Sequence, residues 1–85
     1  MGEINYEYMC NEYTQEALNL CSINERFDNE SLDIKIIREF YVKIASKLMI
    51  LRDEVWRSEA GRNYNIAITE LENSCMRAIK GVYSK

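Results

Sequence analysis

Apolar residues in the middle of the chain return every three or four positions. Ile34, Ile37, Tyr41, Ile44, Leu48, Leu51 and Val55 follow one another at alternating steps of three and four. That period belongs to one face of an α-helix. Ser31, or the Asp28-Asn29 pair, can cap its start by accepting free amide hydrogens of the first turn. Gly61 is the expected stop, because glycine tolerates the left-handed geometry that follows a helix. The long helix is therefore predicted over 31–60, about 40 Å in length. Tyr64, Ile68, Leu71, Cys75, Ala78 and Val82 form a second stripe with the same steps, predicting a helix over 62–84. The connection around Gly61-Arg62-Asn63 is short, so the two helices should pack as an antiparallel hairpin.

The first thirty residues carry weaker signals. Thr14 can cap a short helix bearing Ala17, Leu18 and Cys21, and residues 22–30 read as a polar connection anchored by Phe27. Tyr6, Tyr8 and Tyr13 sit in an acidic N-terminal arm. The predicted fold is a single all-α domain: a helical hairpin with a short N-terminal helix. The long helix is also apolar off its stripe, at Ile36, Phe40, Val42, Met49, Ile50 and Trp56. One partner helix cannot cover all of these, so a homo-oligomer is expected.

Composition narrows the chemistry. The 85 residues include no proline, three glycines and no histidine. Lack of proline fits long helices. Lack of histidine excludes Ser-His and Cys-His nucleophile pairs and any His-ligated metal. No Gly-rich phosphate loop or nucleophile elbow is present. Glu12 and Glu16 lie one helical turn apart, but such pairs are ordinary on solvated faces, so no enzyme, cofactor or metal is expected. The three cysteines, Cys10, Cys21 and Cys75, fit no C-x-x-C spacing. With no signal-peptide pattern and no long apolar run, a cytosolic protein with reduced, packed cysteines is expected, outside any membrane.

Charge is unevenly placed. Residues 1–31 carry seven acids and one base, whereas residues 32–85 carry ten bases and seven acids, giving a net charge of −3. A chain of this sign is not built to coat DNA. Its basic part can instead hold a small anion. Lys35 and Arg38 lie three apart near the start of the long helix, and two cations there can hold a phosphate. Arg62 adjoins the start of the last helix, whose free amides also favour an anion. Thr69 offers a hydroxyl, and the N-terminal tyrosines can stack on bases. Beside each reading stands a plainer one: cations on a long helix usually form a solvated face, and tyrosines usually pack.

Two stretches carry a resemblance. Ile37-Arg38-Glu39, followed by Lys43 and Ala45, resembles the opening of the long helix in the anti-CBASS cyclic-oligonucleotide sponges of phages. The run Arg62-Asn63-Tyr64-Asn65-Ile66-Ala67-Ile68-Thr69-Glu70-Leu71-Glu72, then Met76 and Ala78, is similar to that family's Arg-x-x-Ser-Leu-Ala-Leu-Thr-x-Leu-Glu pattern. The resemblance spans residues 34–83. It implies a helical hexamer that captures cyclic di- and trinucleotides between subunits without catalysis. It would give Lys35 and Arg38 to phosphate, Arg62, Lys80 and Lys85 to a second anion site, and Tyr8 or Tyr13 to a stacking lid. The sequence departs from the pattern in a longer connection without the usual proline and in its acidic N-terminal segment. Two other functions fit the residues: a small acidic inhibitor or immunity protein that blocks a basic partner, and a helical oligomerisation module without a ligand.

Overall fold

The computed structural model describes residues 4–85, and these are helical and without strands. The elements are α1 (Tyr6–Glu12), α2 (Gln15–Leu20), a 3-10 turn (Glu25–Asn29), α3 (Leu32–Glu54) and α4 (Glu59–Tyr83). The longest, α3 and α4, pack on each other as the expected hairpin. The remaining elements form a thin second layer, with α2 lying on α3 and α1 bridging to α2 and to the 3-10 turn.

Local chemistry places each start. Asn5, Thr14, Asn24 and Ser31 all precede a helical segment in extended backbone, and each side chain accepts an amide hydrogen from that segment. Capping of this kind satisfies donors that the helix itself leaves free. The N-terminal layer thus contains two short helices and a turn, where sequence alone predicted one helix and a polar connection. Phe27 is the anchor that was expected, fully buried within the 3-10 turn.

The hairpin turn differs from expectation. Helix α3 ends at Glu54, the chain turns through 55–58, and α4 starts at Glu59, three residues before the predicted boundary. Gly61 does not stop α3. It lies in the first turn of α4, where its amide donates to Ser58 Oγ at 3.0 Å. The left-handed residue of the turn is Arg57, at φ 66°. Gly61 is needed for space: a Cβ there would stand 2.6 Å from the Val55 carbonyl oxygen. Gly61→Ala is expected to lower stability by about 1–2 kcal/mol, the overpacking cost exceeding the gain in helix propensity. Gly81, where an added Cβ would meet nothing within 4 Å, supplies the control. Gly81→Ala should instead gain up to about 1 kcal/mol, and urea denaturation of both variants reads the contrast.

The buried surface of α3 extends beyond the predicted stripe to a neighbouring face. Val42, Ala45 and Met49 are buried with Met9, Ala17, Leu18 and Phe27, so the α1–α2 layer covers two residues that had seemed surplus, Val42 and Met49. Of the predicted stripe, Ile34 is buried and Ile37, Tyr41, Leu48, Leu51 and Val55 are half-buried, and Tyr41 Oη lies 2.6 Å from Ser74 Oγ on α4. Ile44, expected in the core, is 51% exposed. The α4 stripe follows prediction more closely, with Ile68 and Cys75 buried and Tyr64, Leu71, Ala78 and Val82 half-buried.

Candidate functional site

The antiparallel hairpin sorts the candidate residues to its two ends. Lys35, Arg38, Lys80 and Lys85 fall near the end where α3 begins and α4 finishes, and Lys85 Nζ lies 4.0 Å from Asp33 there. Arg62 falls near the other end, by the turn. Eighteen residues of one helix separate Arg62 from Lys80, a rise of about 27 Å. One chain therefore does not gather them into a single pocket.

At the first end the expected phosphate pair is already engaged. Arg38 Nε and Nη2 donate to the two oxygens of Glu30, each at 2.8 Å, and Nη1 donates to the Cys21 carbonyl at 2.6 Å. Its side chain is only 12% exposed. Every face of the guanidinium fork is thus committed to tying the α2–α3 segment onto α3. Sequence reasoning missed this because the acceptor, Glu30, lies outside the helix on which Arg38 was counted. Lys35 is half-buried, with Nζ 5.9 Å from the centre of the Phe27 ring. Of the stacking candidates, Tyr8 is exposed, whereas Tyr13 is half-buried. Burial, then the negative potential of Tyr8, Glu39 and Glu12, pushes the Tyr13 phenol above its ordinary value.

On α4, Thr69 is exposed, and its hydroxyl donates back to the Asn65 carbonyl at 3.1 Å. Lys80 lies beside Asn73, Met76 and Arg77 along a shallow groove. Glu16, one of the paired acids, accepts two hydrogen bonds from Arg52 at 3.2 Å each, which is an ion-pair role.

The turn end is better furnished for an anion. Trp56, Arg57, Ser58, Glu59, Arg62 and Asn65 line an open groove of about 610 Å³, floored by Gly61. Trp56 is 63% exposed. Among the described residues neither Arg57 nor Arg62 has an ion-pair partner. Two arginines, an exposed tryptophan and an asparagine thus border one groove, together with the acid Glu59. Sequence reasoning picked out Arg62 but assigned Trp56 and Arg57 to the body of the long helix. A larger groove at the opposite end, about 780 Å³, runs between Arg26, Asn29, Glu30 and Tyr83. Its acid, Glu30, is held by Arg38, which leaves Arg26 as its cation.

All three cysteines are free thiols. Cys10 is exposed, while Cys21 and Cys75 are buried. A hydrogen bond with Cys75, reinforced by burial, pushes the Cys21 thiol far above its ordinary value. No cluster of metal-ligating side chains occurs among the described residues, and no described helix is long and apolar enough to cross a membrane.

No protein-family model matches the chain, and no curated protein or solved structure is significantly similar to it.

Proposed function

We propose that this chain is a non-catalytic binding protein that self-associates and sequesters cyclic di- or trinucleotides, withholding them from a bacterial anti-phage immune pathway. The observation that carries the reading is the turn groove, which Arg57, Arg62 and the exposed Trp56 line together. A cyclic oligonucleotide presents two kinds of surface: phosphates, which a planar guanidinium holds through paired N–H donors, and bases, which stack on an aromatic face. The groove offers both. The pathway and the assembly come from the sequence resemblance at Ile37–Ala45 and Arg62–Ala78. The phosphate contacts shift from the pair first expected, Lys35 and Arg38, towards Arg57 and Arg62. Lys80 and Lys85 supply positive charge at the opposite end, where a neighbouring subunit can bring it close to another groove. Tyr8, exposed on α1, is the N-terminal aromatic open to a base.

Calorimetric titration with cyclic di- and trinucleotides tests the reading, and Arg57→Gly sharpens it. A non-glycine residue in left-handed backbone costs about 1–2 kcal/mol, so the glycine variant should be more stable by roughly 1 kcal/mol. It should nevertheless bind at least tenfold more weakly, as expected for loss of one charge-assisted hydrogen-bond group worth about 1.5–3 kcal/mol. Arg62→Ala should lose a similar amount of affinity. Wild-type protein that takes up no cyclic nucleotide at micromolar concentration, or full affinity after both substitutions, would overturn the assignment.

A second reading has its own observation. Glu7, Glu12, Glu16, Glu25 and Asp28 are all exposed on the N-terminal layer. A negative surface of this kind steers a basic protein partner and suits an inhibitor or immunity protein. Pull-down of a stable basic partner that is lost with Glu7→Lys and Glu12→Lys would favour it over the sponge.

A further inference from the structure

The N-terminal layer and α4 share one chemical contact that lies outside the turn groove. Of the three free cysteines, Cys21 and Cys75 are each 1% exposed, and both belong to the buried cluster that contains Leu18, Phe27 and Ile68. Their thiols meet through a hydrogen bond. They come from distant parts of the chain: Cys21 closes the end of α2, and Cys75 sits on the buried face of α4.

Fixed backbone holds both sulfurs. The Cys21 amide donates to the Ala17 carbonyl at 3.3 Å, Ser22 follows in left-handed backbone at φ 56°, and the Ile23 amide reaches back to the Leu18 carbonyl at 2.8 Å. From α3, Arg38 Nη1 holds the Cys21 carbonyl at 2.6 Å. Cys75 rides on the interior of a long helix. The two thiols are electrically unequal. The hydrogen bond with Cys21 draws the Cys75 thiol below its ordinary value, burial opposes this, and the Arg38 guanidinium adds to the lowering. Cys21 is pushed the other way, by the same hydrogen bond, by burial and by the charge of Cys75, with Arg38 opposing and Glu72 adding. Cys75 is therefore the sulfur that gives up its proton first.

We propose that Cys21 and Cys75 form a modification site, a thiol pair that a small disulfide oxidises to an intramolecular disulfide bond fastening the N-terminal layer to α4. The oxidant is a low-molecular-weight disulfide, R–S–S–R. Cys75 Sγ, as thiolate, attacks one of its sulfurs, the reagent's S–S bond breaks, and the departing RS⁻ takes up the proton that Cys75 lost. Cys21 Sγ then attacks the sulfur of Cys75 in the mixed disulfide, and its own proton goes to the second departing RS⁻. Two protein thiols are oxidised to one disulfide, and R–S–S–R is reduced to two RSH.

Burial sets the order of events. A reagent reaches these thiols only when the N-terminal layer opens. An R group left on either sulfur keeps the packed core from closing again. The bond between Cys21 and Cys75 removes two hydrogen atoms and adds no volume, so it is the oxidised form that the closed layer accepts. The layer otherwise rests on the hairpin chiefly through α2 on α3. A covalent tie to α4 adds a second fastening, and it constrains the unfolded chain between residues 21 and 75.

The test uses the full chain with Cys10→Ser, which removes the exposed thiol and leaves the buried pair intact. The protein is incubated with oxidised glutathione, both in buffer and in urea below the unfolding midpoint, and read by intact mass and by peptide mapping without reductant. The expected product has lost two hydrogen atoms, carries no glutathione, and links the peptides holding Cys21 and Cys75. Its thermal midpoint should rise by about 8–16 °C, and dithiothreitol should return it to the starting value. Amide exchange across residues 6–30 should slow in the oxidised form. Cys75→Ala in the same background should give no bridge and no shift. Thiols that stay free in both buffers, a product that stops at the glutathione adduct, or a bridged protein with an unchanged or lower midpoint would each overturn the proposal.

Discussion

Replacing Arg38 with methionine is expected to cost about 3 kcal/mol of stability, although the residue looks from sequence like a free cation on a helix face. The guanidinium satisfies both oxygens of Glu30 and the Cys21 carbonyl at 2.6–2.8 Å. The side chains of the pair are only 12% and 16% exposed. Removing one member of a largely buried pair leaves the other charge desolvated and unpaired, a loss of about 3–5 kcal/mol for full burial and somewhat less here. An 85-residue domain has a total stability of roughly 4–13 kcal/mol, so the variant sits near the edge of folding. Each kcal/mol moves the midpoint of a domain this size by about 4–8 °C, and thermal denaturation should register a fall of about 12–24 °C. Arg38→Lys should recover little, since an ammonium cannot reproduce the paired fork. The double variant Arg38→Met/Glu30→Met should be less damaged than Arg38→Met alone, because no orphan carboxylate remains. An unchanged midpoint in Arg38→Met would show that the pair does not hold the molecule together. The result bears on function too. Weakened nucleotide binding in an Arg38 variant would report a loosened N-terminal layer as readily as a lost phosphate contact, so affinity must be read where the variant is fully folded.

Arg38 also illustrates what sequence makes legible. Periodicity reports which residues share a face of one helix, and the hairpin of α3 and α4 followed from it directly. Ser31 and Thr14 were recognisable as caps because capping is local chemistry. Partners between elements leave no such trace: Glu30 is eight residues from Arg38 and Glu16 is thirty-six from Arg52. The hairpin turn was hidden for another reason. The apolar stripe runs on through Val55, and the left-handed position is held by Arg57, a residue type with no special liking for it. Gly61 drew attention as a helix stop, whereas its lack of a side chain serves the close approach of the Val55 carbonyl. A turn placed at Gly61 puts Trp56 and Arg57 in the helix and away from Arg62, whereas all three line one groove at the true turn. The N-terminal layer is built of segments of five to seven residues, too short to display a period. For that reason Val42 and Met49 looked like surplus apolar surface when they are covered. The surplus at Ile36, Phe40, Ile50 and Trp56 is real, joined by Ile44.

Phe27→Ala is expected to be the most damaging single truncation, and its damage should be local first. Phe27 is fully buried, and it is the one buried residue of a 3-10 turn of only five residues. Deleting a buried phenyl ring costs about 3–5 kcal/mol through lost transfer energy and the cavity left behind. The turn has little else to hold it. Asn24 caps its start, and Asp28 accepts the Tyr6 amide at 2.8 Å, which makes the start of α1 depend on the same turn. Lys35 stands over the ring at 5.9 Å and loses its aromatic neighbour as well. Release of the turn should therefore loosen α1 and the cover over Val42 and Met49 before the hairpin melts. Hydrogen exchange by mass spectrometry resolves the order. Protection should collapse in peptides covering residues 6–30 while the middle of α4, around Ile68 and Cys75, stays protected. Such graded opening is the behaviour of a layer with its own, lower stability. Phe27→Leu, which keeps most of the apolar volume, should retain most of the protection. Uniform loss of protection across α4 and the N-terminal layer would show instead that the molecule opens as one cooperative unit, and that the layer is no separate cover.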